Sequence, residues 1–259
     1  MTKIKFGPSG IDGVKQAPLV LEEYSKQGIK AAEIPFTYGI WMKNQEAIII
    51  GKIAKKLDIR LSIHAPYWIN LNSEDKTKIK QSIERILRCC EIGHHLSSEE
   101  KTRIIFHPGF YGKNKEQAFN IIKEGILELI QEIKTNNWNV ELCPETMGKI
   151  NVFGSLEEIS ELVEQTKCGF CIDFAHVLAR YGDYNFDLVK KLFPQKQWQC
   201  HFSGIEYGDK GEKKHKTTSK EDWKELLTNI PNDKEIIIIN ESPSPVEDSL
   251  KGLEVLKSI

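Results

Sequence analysis

Short β-rich runs alternate with helix-period segments from one end of this 259-residue chain to the other, and no other feature constrains its fold as tightly. Eight strand candidates fall at residues 4–7, 31–35, 59–63, 103–106, 140–143, 169–172, 198–201 and 235–240. Between the third and fourth, Ile79, Ile83, Ile86, Leu87 and Cys90 recur at the spacing of one helix face, behind a helix start at Ser73. Phe119, Ile122, Ile126, Leu129, Ile130 and Ile133 repeat the period after the fourth. Ser155 with Glu158 makes a capping box ahead of 156–163. Strands joined through helices are parallel strands with crossover connections. Eight such units predict a single-domain α/β structure over residues 1–259, a (β/α)8 TIM barrel. A doubly wound open sheet is the alternative, but the first strand is followed by GPSG rather than GxGxxG.

In a barrel of this kind the chemistry sits at the C-terminal ends of the strands. The third strand is followed by His64-Ala-Pro-Tyr67 and the fourth by His107-Pro-Gly. The fifth ends at Glu145, the sixth at Asp173, the seventh at His201 and the eighth at Glu241. Asp173 by itself reads as the cap of the next helix, with His176 in its first turn. Six successive strands ending on His, Asp or Glu need a further cause. Carboxylates crowded together without a cation repel one another, and a divalent metal removes the conflict. His176 and His215 complete the candidate set. Imidazole and carboxylate without thiolate suit zinc, manganese or iron, and five histidines favour zinc. Eight ligands exceed the needs of one ion. Two or three metals sharing a bridging carboxylate are expected, an arrangement suited to phosphodiester hydrolysis. His94 and His95 fall in the last turn of the helix opened by Ser73, where they suit the negative end of its dipole.

Composition narrows the remaining classes. A formal charge of −1 gives no general pull toward polyanions, so contact with any polyanion would need a local basic patch. Lys210, Lys213, Lys214, Lys216 and Lys220 crowd one segment, though Asp209, Glu212 and Glu221 are interspersed. The apolar run 236–239 is strand-sized, which argues against a membrane span. The start, MTKIKFGPSG, lacks an apolar signal segment, so a cytoplasmic, intracellular location is expected, with six reduced cysteines. Cys168 and Cys171 form a CxxC without a second pair at zinc-ribbon spacing, and Cys89 and Cys90 read as packing residues. Nothing marks a protein partner.

SIHAPYWINL, FHPG, PET, CIDFAH, the CHF of the seventh strand and NESP resemble, in order, the motifs of the endonuclease IV family. The resemblance spans nearly the whole chain. It implies a zinc-dependent apurinic/apyrimidinic endonuclease on a (β/α)8 barrel, acting on double-stranded DNA with abasic sites. Such an enzyme cuts 5′ to the lesion and leaves a 3′-hydroxyl and a 5′ deoxyribose phosphate. Carried over, His64, His107 and Glu145 hold one zinc. Glu145, Asp173, His201 and Glu241 hold the second, and His176 and His215 the third, with Glu145 catalytic as the bridge.

Two departures stand out. The family's Asp-x-His is replaced by GEKKHK, so Lys213 occupies the aspartate's place. A weakened third site is then expected, with Glu212 as the nearest substitute ligand or Lys213 holding a phosphate oxygen. Tyr67 matches the family's DNA-wedging tyrosine, but FTYGIWMKNQEA contains no arginine, so that task falls to Trp41, to Lys43 or to no residue. The rival reading is a single-metal sugar isomerase or epimerase of the xylose isomerase type, which needs only Glu145, Asp173, His201 and Glu241. A third, a non-catalytic nucleic-acid-binding barrel, leaves the rim carboxylates unexplained.

Overall fold

In the computed structural model, which describes residues 3–97 and 99–259, parallel strands and helices alternate around a closed barrel. The strands run β1 (Lys3–Pro8), β2 (Ala31–Pro35), β3 (Arg60–His64), β4 (Thr102–Phe106), β5 (Val140–Pro144), β6 (Cys171–Asp173) and β7 (Gln197–Phe202). A hairpin of β8 (Gly204–Gly208) and β9 (Gly211–Lys216) follows, and β10 (Glu235–Asn240) is the eighth barrel strand. The helices are α1 (Ala17–Gln27), α2 (Asn44–Lys56), α3 (Lys76–Leu96), α4 (Lys115–Thr135) and α5 (Leu156–Thr166). After β6 come α6 (Phe174–Tyr181) and α7 (Phe186–Leu192), then α8 (Lys220–Asn229) and α9 (Pro245–Ser258).

The wall is built from two four-stranded parallel sheets, β1-β10-β7-β6 and β2-β3-β4-β5. Single bridges close the two seams: Ser9 with Glu33 joins β1 to β2, and Glu145 with Cys171 joins β5 to β6. At the first seam the backbones nearly touch, because a Cβ on Gly7 would lie 1.6 Å from the Ala31 carbonyl oxygen. All eight expected strands are present, with ends moved by two residues at most.

The helices bury the expected stripes against the barrel. Ile122, Ile126, Leu129 and Ile133 of α4 are in the main core, as are Ile86 and Cys90 of α3. Ser155 and Glu158 make the anticipated capping box on α5. One cap is corrected: α3 starts at Asp75, whose Oδ1 accepts from Thr77 N at 2.8 Å, while Ser73 Oγ accepts from Asp75 N. Both residues can cap, and the one nearer the first helical turn does. All six cysteines are buried and unpaired. Cys168 packs in the main core and Cys171 with Ile105 and Cys143 in a separate cluster, so the CxxC is a packing feature. No helix among the described residues is long and apolar enough to cross a membrane.

Candidate metal centre

Each strand end places its side chain by simple geometry: parallel strands of matched length finish at one rim, so the residues that end them converge. Glu145 is the hub, with no exposed surface. Its Oε2 lies 3.3 Å from His64 Nε2 and 3.1 Å from His107 Nε2. Its Oε1 lies 3.1 Å from His201 Nδ1 and 3.4 Å from His176 Nδ1. One carboxylate therefore turns an oxygen to each of two imidazole groups.

Three sets of donor atoms, each mutually within 4.8 Å, surround this hub. The first is His64, His107 and Glu145; the second is Glu145, Asp173, His201 and Glu241; the third is Asp173, His176 and His215. All eight expected ligands fall in these sets. Asp173 belongs to two of them, which the motifs did not indicate. It also caps α6: Oδ1 accepts from His176 N at 3.0 Å, while Oδ2 is buried with no hydrogen-bond partner among the described residues. Capping and ligation thus use different oxygens. An orphaned buried carboxylate oxygen among imidazoles fits a divalent cation, and so does the donor chemistry.

Hydrogen bonds fix the rings. His64 Nδ1 faces the Ala65 carbonyl at 2.8 Å and His176 Nδ1 the Thr146 carbonyl at 2.9 Å. His215 Nδ1 faces Ser203 Oγ at 2.6 Å, and that hydroxyl donates to the Gly204 carbonyl. A carbonyl can only accept, so His64 and His176 carry their protons on Nδ1 and present bare Nε2. The Ser203 relay gives His215 the same tautomer.

Electrostatics follow from this crowding. Burial disfavours the Glu145 carboxylate, but His201 and the hydrogen bonds from His107, His176 and His201 hold its pKa well below the usual carboxylate range. Burial likewise opposes charge on His64, yet Glu145 raises it to about 9. Against the same burial cost His176 is driven up by Asp173, Glu145 and Glu212, and His201 by the Cys171 thiol first and then by Glu241, Glu33 and Glu145. For Asp173 burial prevails and the pKa rises. Glu241 is lowered to about 2, His201 outweighing burial. A site that holds this much negative charge recruits protons onto its imidazoles, and a divalent cation can take their place.

The expected position of Lys213 is corrected. Pairing of Glu206 with Lys214 and of Tyr207 with Glu212 leaves Lys213 as the extra residue of a β-bulge. The bulge turns Lys213 outward, exposed, so it opposes no metal. Glu212 and His215, three residues apart, instead share the inner face, and Glu212 Oε2 lies 3.5 Å from His176 Nε2. Gly148 permits this approach, since a Cβ there would sit 2.8 Å from Glu212 Cβ.

The centre opens into a cavity of about 320 Å³ lined by His64, Tyr67, Phe110, Lys149, Glu212 and His215 among others. A larger cleft of about 830 Å³ lies near the N-terminal strand ends beside Arg103, Glu141 and Gln199, but none of the clustered donor sets reaches it. At the rim, Tyr67 is 51% exposed and stacks near His107 with ring centroids 5.6 Å apart. Trp41 is tied down, its Nε1 donating to the Pro35 carbonyl and its ring edge-on to Phe36. Sequence reasoning passed over Tyr38, which is 82% exposed and 6.3 Å from the Tyr67 ring. It also passed over Glu33, a polar residue in an otherwise apolar strand, and over Lys149.

The family model for xylose isomerase-like TIM barrels matches residues 21–259. An uncharacterized protein of Methanocaldococcus jannaschii, MJ0133, is 33% identical over 224 residues, covering 81% of this chain and 80% of that protein. "Probable endonuclease 4" of Acholeplasma laidlawii is 31% identical over 178 residues, 64% of this chain and 56% of that protein. The chain spans about half the length of the relatives carrying that name. Among solved structures, SacUVDE superposes with a TM-score of 0.76 at 19% identity, covering 100% of this chain and 99% of that one. A D-tagatose 3-epimerase-like protein gives 0.69 at 20%, covering 98% and 96%. At those identities the two structures share the fold.

Proposed function

We propose that this chain, which belongs to the family of xylose isomerase-like TIM barrels, is a zinc-dependent DNA-repair endonuclease. It hydrolyses the phosphodiester 5′ to an abasic site and leaves a 3′-hydroxyl and a 5′ deoxyribose phosphate. One observation carries the reading: Glu145 turns Oε2 to His64 and His107 and Oε1 to His201, so two donor sets share it. The relatives named endonuclease 4 support the choice of substrate.

His64, His107 and Glu145 would hold one cation, and Glu145, Asp173, His201 and Glu241 a second. Asp173, His176 and His215 would hold a third, with Glu212 beside them. Cations held by these residues would supply Lewis acidity that activates water and draws charge from a phosphate oxygen. The chain's own contribution is placement. Buried Glu145 keeps the two sets in register, and the ring partners of His64, His176 and His215 hold bare Nε2 atoms toward the cavity. Lys149, on the cavity wall, receives a phosphate oxygen of the incised strand, and Lys213 on the outer face of the hairpin meets the flanking backbone. Tyr67 offers a face for an unstacked base.

The test is incubation of the zinc-loaded protein with a duplex bearing one abasic-site analogue. Incision 5′ to the analogue with a 3′-hydroxyl product is expected, and Glu145→Gln lowers it by several orders of magnitude while duplex binding persists. An intact duplex after such incubation contradicts the reading.

A single-metal sugar isomerase or epimerase is the second reading. It is favoured by the four donors Glu145, Asp173, His201 and Glu241, which satisfy one cation unaided. It leaves His64, His107, His176 and His215 without a task, and ketose interconversion by the purified protein would establish it.

A further inference from the structure

Glu33 is fully buried on β2, far from solvent and from any lysine or arginine partner among the described ion pairs. Its Oε2 accepts from Ser62 Oγ at 2.7 Å, and Glu33 and Ser62 stand opposite each other in the β2–β3 register. Its Oε1 lies 3.0 Å from His201 Nε2. The two atoms are not aligned as a hydrogen bond, and neither has another hydrogen-bond partner among the described residues, the Cys171 thiol being the other group set against the His201 ring. The backbone of Glu33 is pinned at the barrel seam by the bridge to Ser9 and by Gly10 N donating to its carbonyl at 2.9 Å. A buried carboxylate held this firmly costs stability unless something nearby requires its charge.

His201 is what requires it. His64 and His176 face backbone carbonyls with Nδ1 and turn Nε2 to the centre, and His215 reaches Ser203 with Nδ1. His201 is reversed: its Nδ1 faces Glu145 Oε1 at 3.1 Å and Glu241 Oε2 at 3.4 Å. Its ligand atom is therefore Nδ1, and the proton must reside on Nε2, inside the barrel, where no backbone carbonyl accepts from it among the described residues. We propose that Glu33 is a positioning residue for His201, accepting its Nε2 proton so that bare Nδ1 meets the cation shared with Glu145, Asp173 and Glu241. A small rotation of the ring aligns Nε2 with Oε1, and the negative partner makes His201 a more basic ligand. The arrangement rests on the metal reading of the site, and it holds whichever substrate that site takes.

The experiment compares wild type, Glu33→Gln and Glu33→Leu as full chains, using zinc itself as the probe. Zinc retention is measured against a competing chelator, histidine tautomers by nitrogen-15 spectra of the zinc-loaded protein, and the thermal midpoint on metal-free protein. Glu33→Leu removes the acceptor and weakens zinc in the His201 set by about 10–100-fold. Glu33→Gln keeps a neutral acceptor and falls between, and neither change lowers the metal-free midpoint in proportion. In wild type the His201 proton is found on Nε2. Should Glu33→Leu fail to fold, Glu33→Gln and Ser62→Ala carry the comparison, with a smaller loss in the same direction. Variants that hold zinc as tightly as wild type, or a His201 protonated on Nδ1, overturn the proposal while leaving the metal centre standing. Wild-type protein that takes up no zinc overturns the metal reading itself.

Discussion

Glu212 Oε2 stands 3.5 Å from His176 Nε2, although two lysines separate Glu212 from His215 on its own strand. The bulge at Lys213 is the cause. Residues three apart share a face of a strand only where one extra residue is taken out of the pairing, and Lys213 is that residue.

The first prediction tests this device. Glu212→Ala lowers metal bound by the set of Asp173, His176 and His215, while Lys213→Asp leaves the metal content unchanged. Deleting Lys213 leaves Glu212 and His215 two apart in a regular hairpin and preserves the site. Elemental analysis of the three variants decides it: extra metal in Lys213→Asp would mean that this side chain faces inward.

A second prediction separates the rim aromatics. Tyr38 and Tyr67 stand edge to face at 6.3 Å and are well exposed, whereas Trp41 is held by the Pro35 carbonyl and by Phe36. Tyr38→Ala or Tyr67→Ala weakens duplex binding by about 1–3 kcal/mol, the worth of one base stacked on an aromatic ring. Trp41→Ala lowers the thermal midpoint and changes binding little. Binding isotherms beside melting curves distinguish the two kinds of effect, and a reversed pattern would return the wedging role to Trp41.

Lys149 provides a third. It lines the cavity, and its backbone is anchored by Arg180 Nη1 donating to its carbonyl at 2.7 Å. Lys149→Met reduces the slope of log affinity against log salt by about 1. Zinc content stays at the wild-type level. An unaltered slope would remove Lys149 from the phosphate path.

Much of this was legible from residues alone because barrel geometry turns strand ends into a list of site residues. His64, His107, Glu145, Asp173, His201 and Glu241 each follow an apolar run, and the register of parallel strands brings them together. The β8–β9 hairpin was not legible. EKKHK is polar on both faces and carries no apolar alternation, so its pairing, and with it the outward turn of Lys213, depends on contacts with α6 and the β5 loop. Glu33 was hidden for another reason. A lone carboxylate in an apolar strand gains meaning only when His201, on a strand across the barrel, is seen 3.0 Å away. Tyr38 was hidden because exposure at a loop tip leaves no periodic trace.

The central claim is that Glu145 joins two cation sites rather than serving one. Metal stoichiometry of the wild type beside the double variant His64→Ala, His107→Ala tests it most directly. Wild type is predicted to hold two or more equivalents of zinc, and the double variant to hold one fewer and to lose abasic-site incision. A single equivalent in both proteins would contradict the account and return the site to a one-metal isomerase or epimerase.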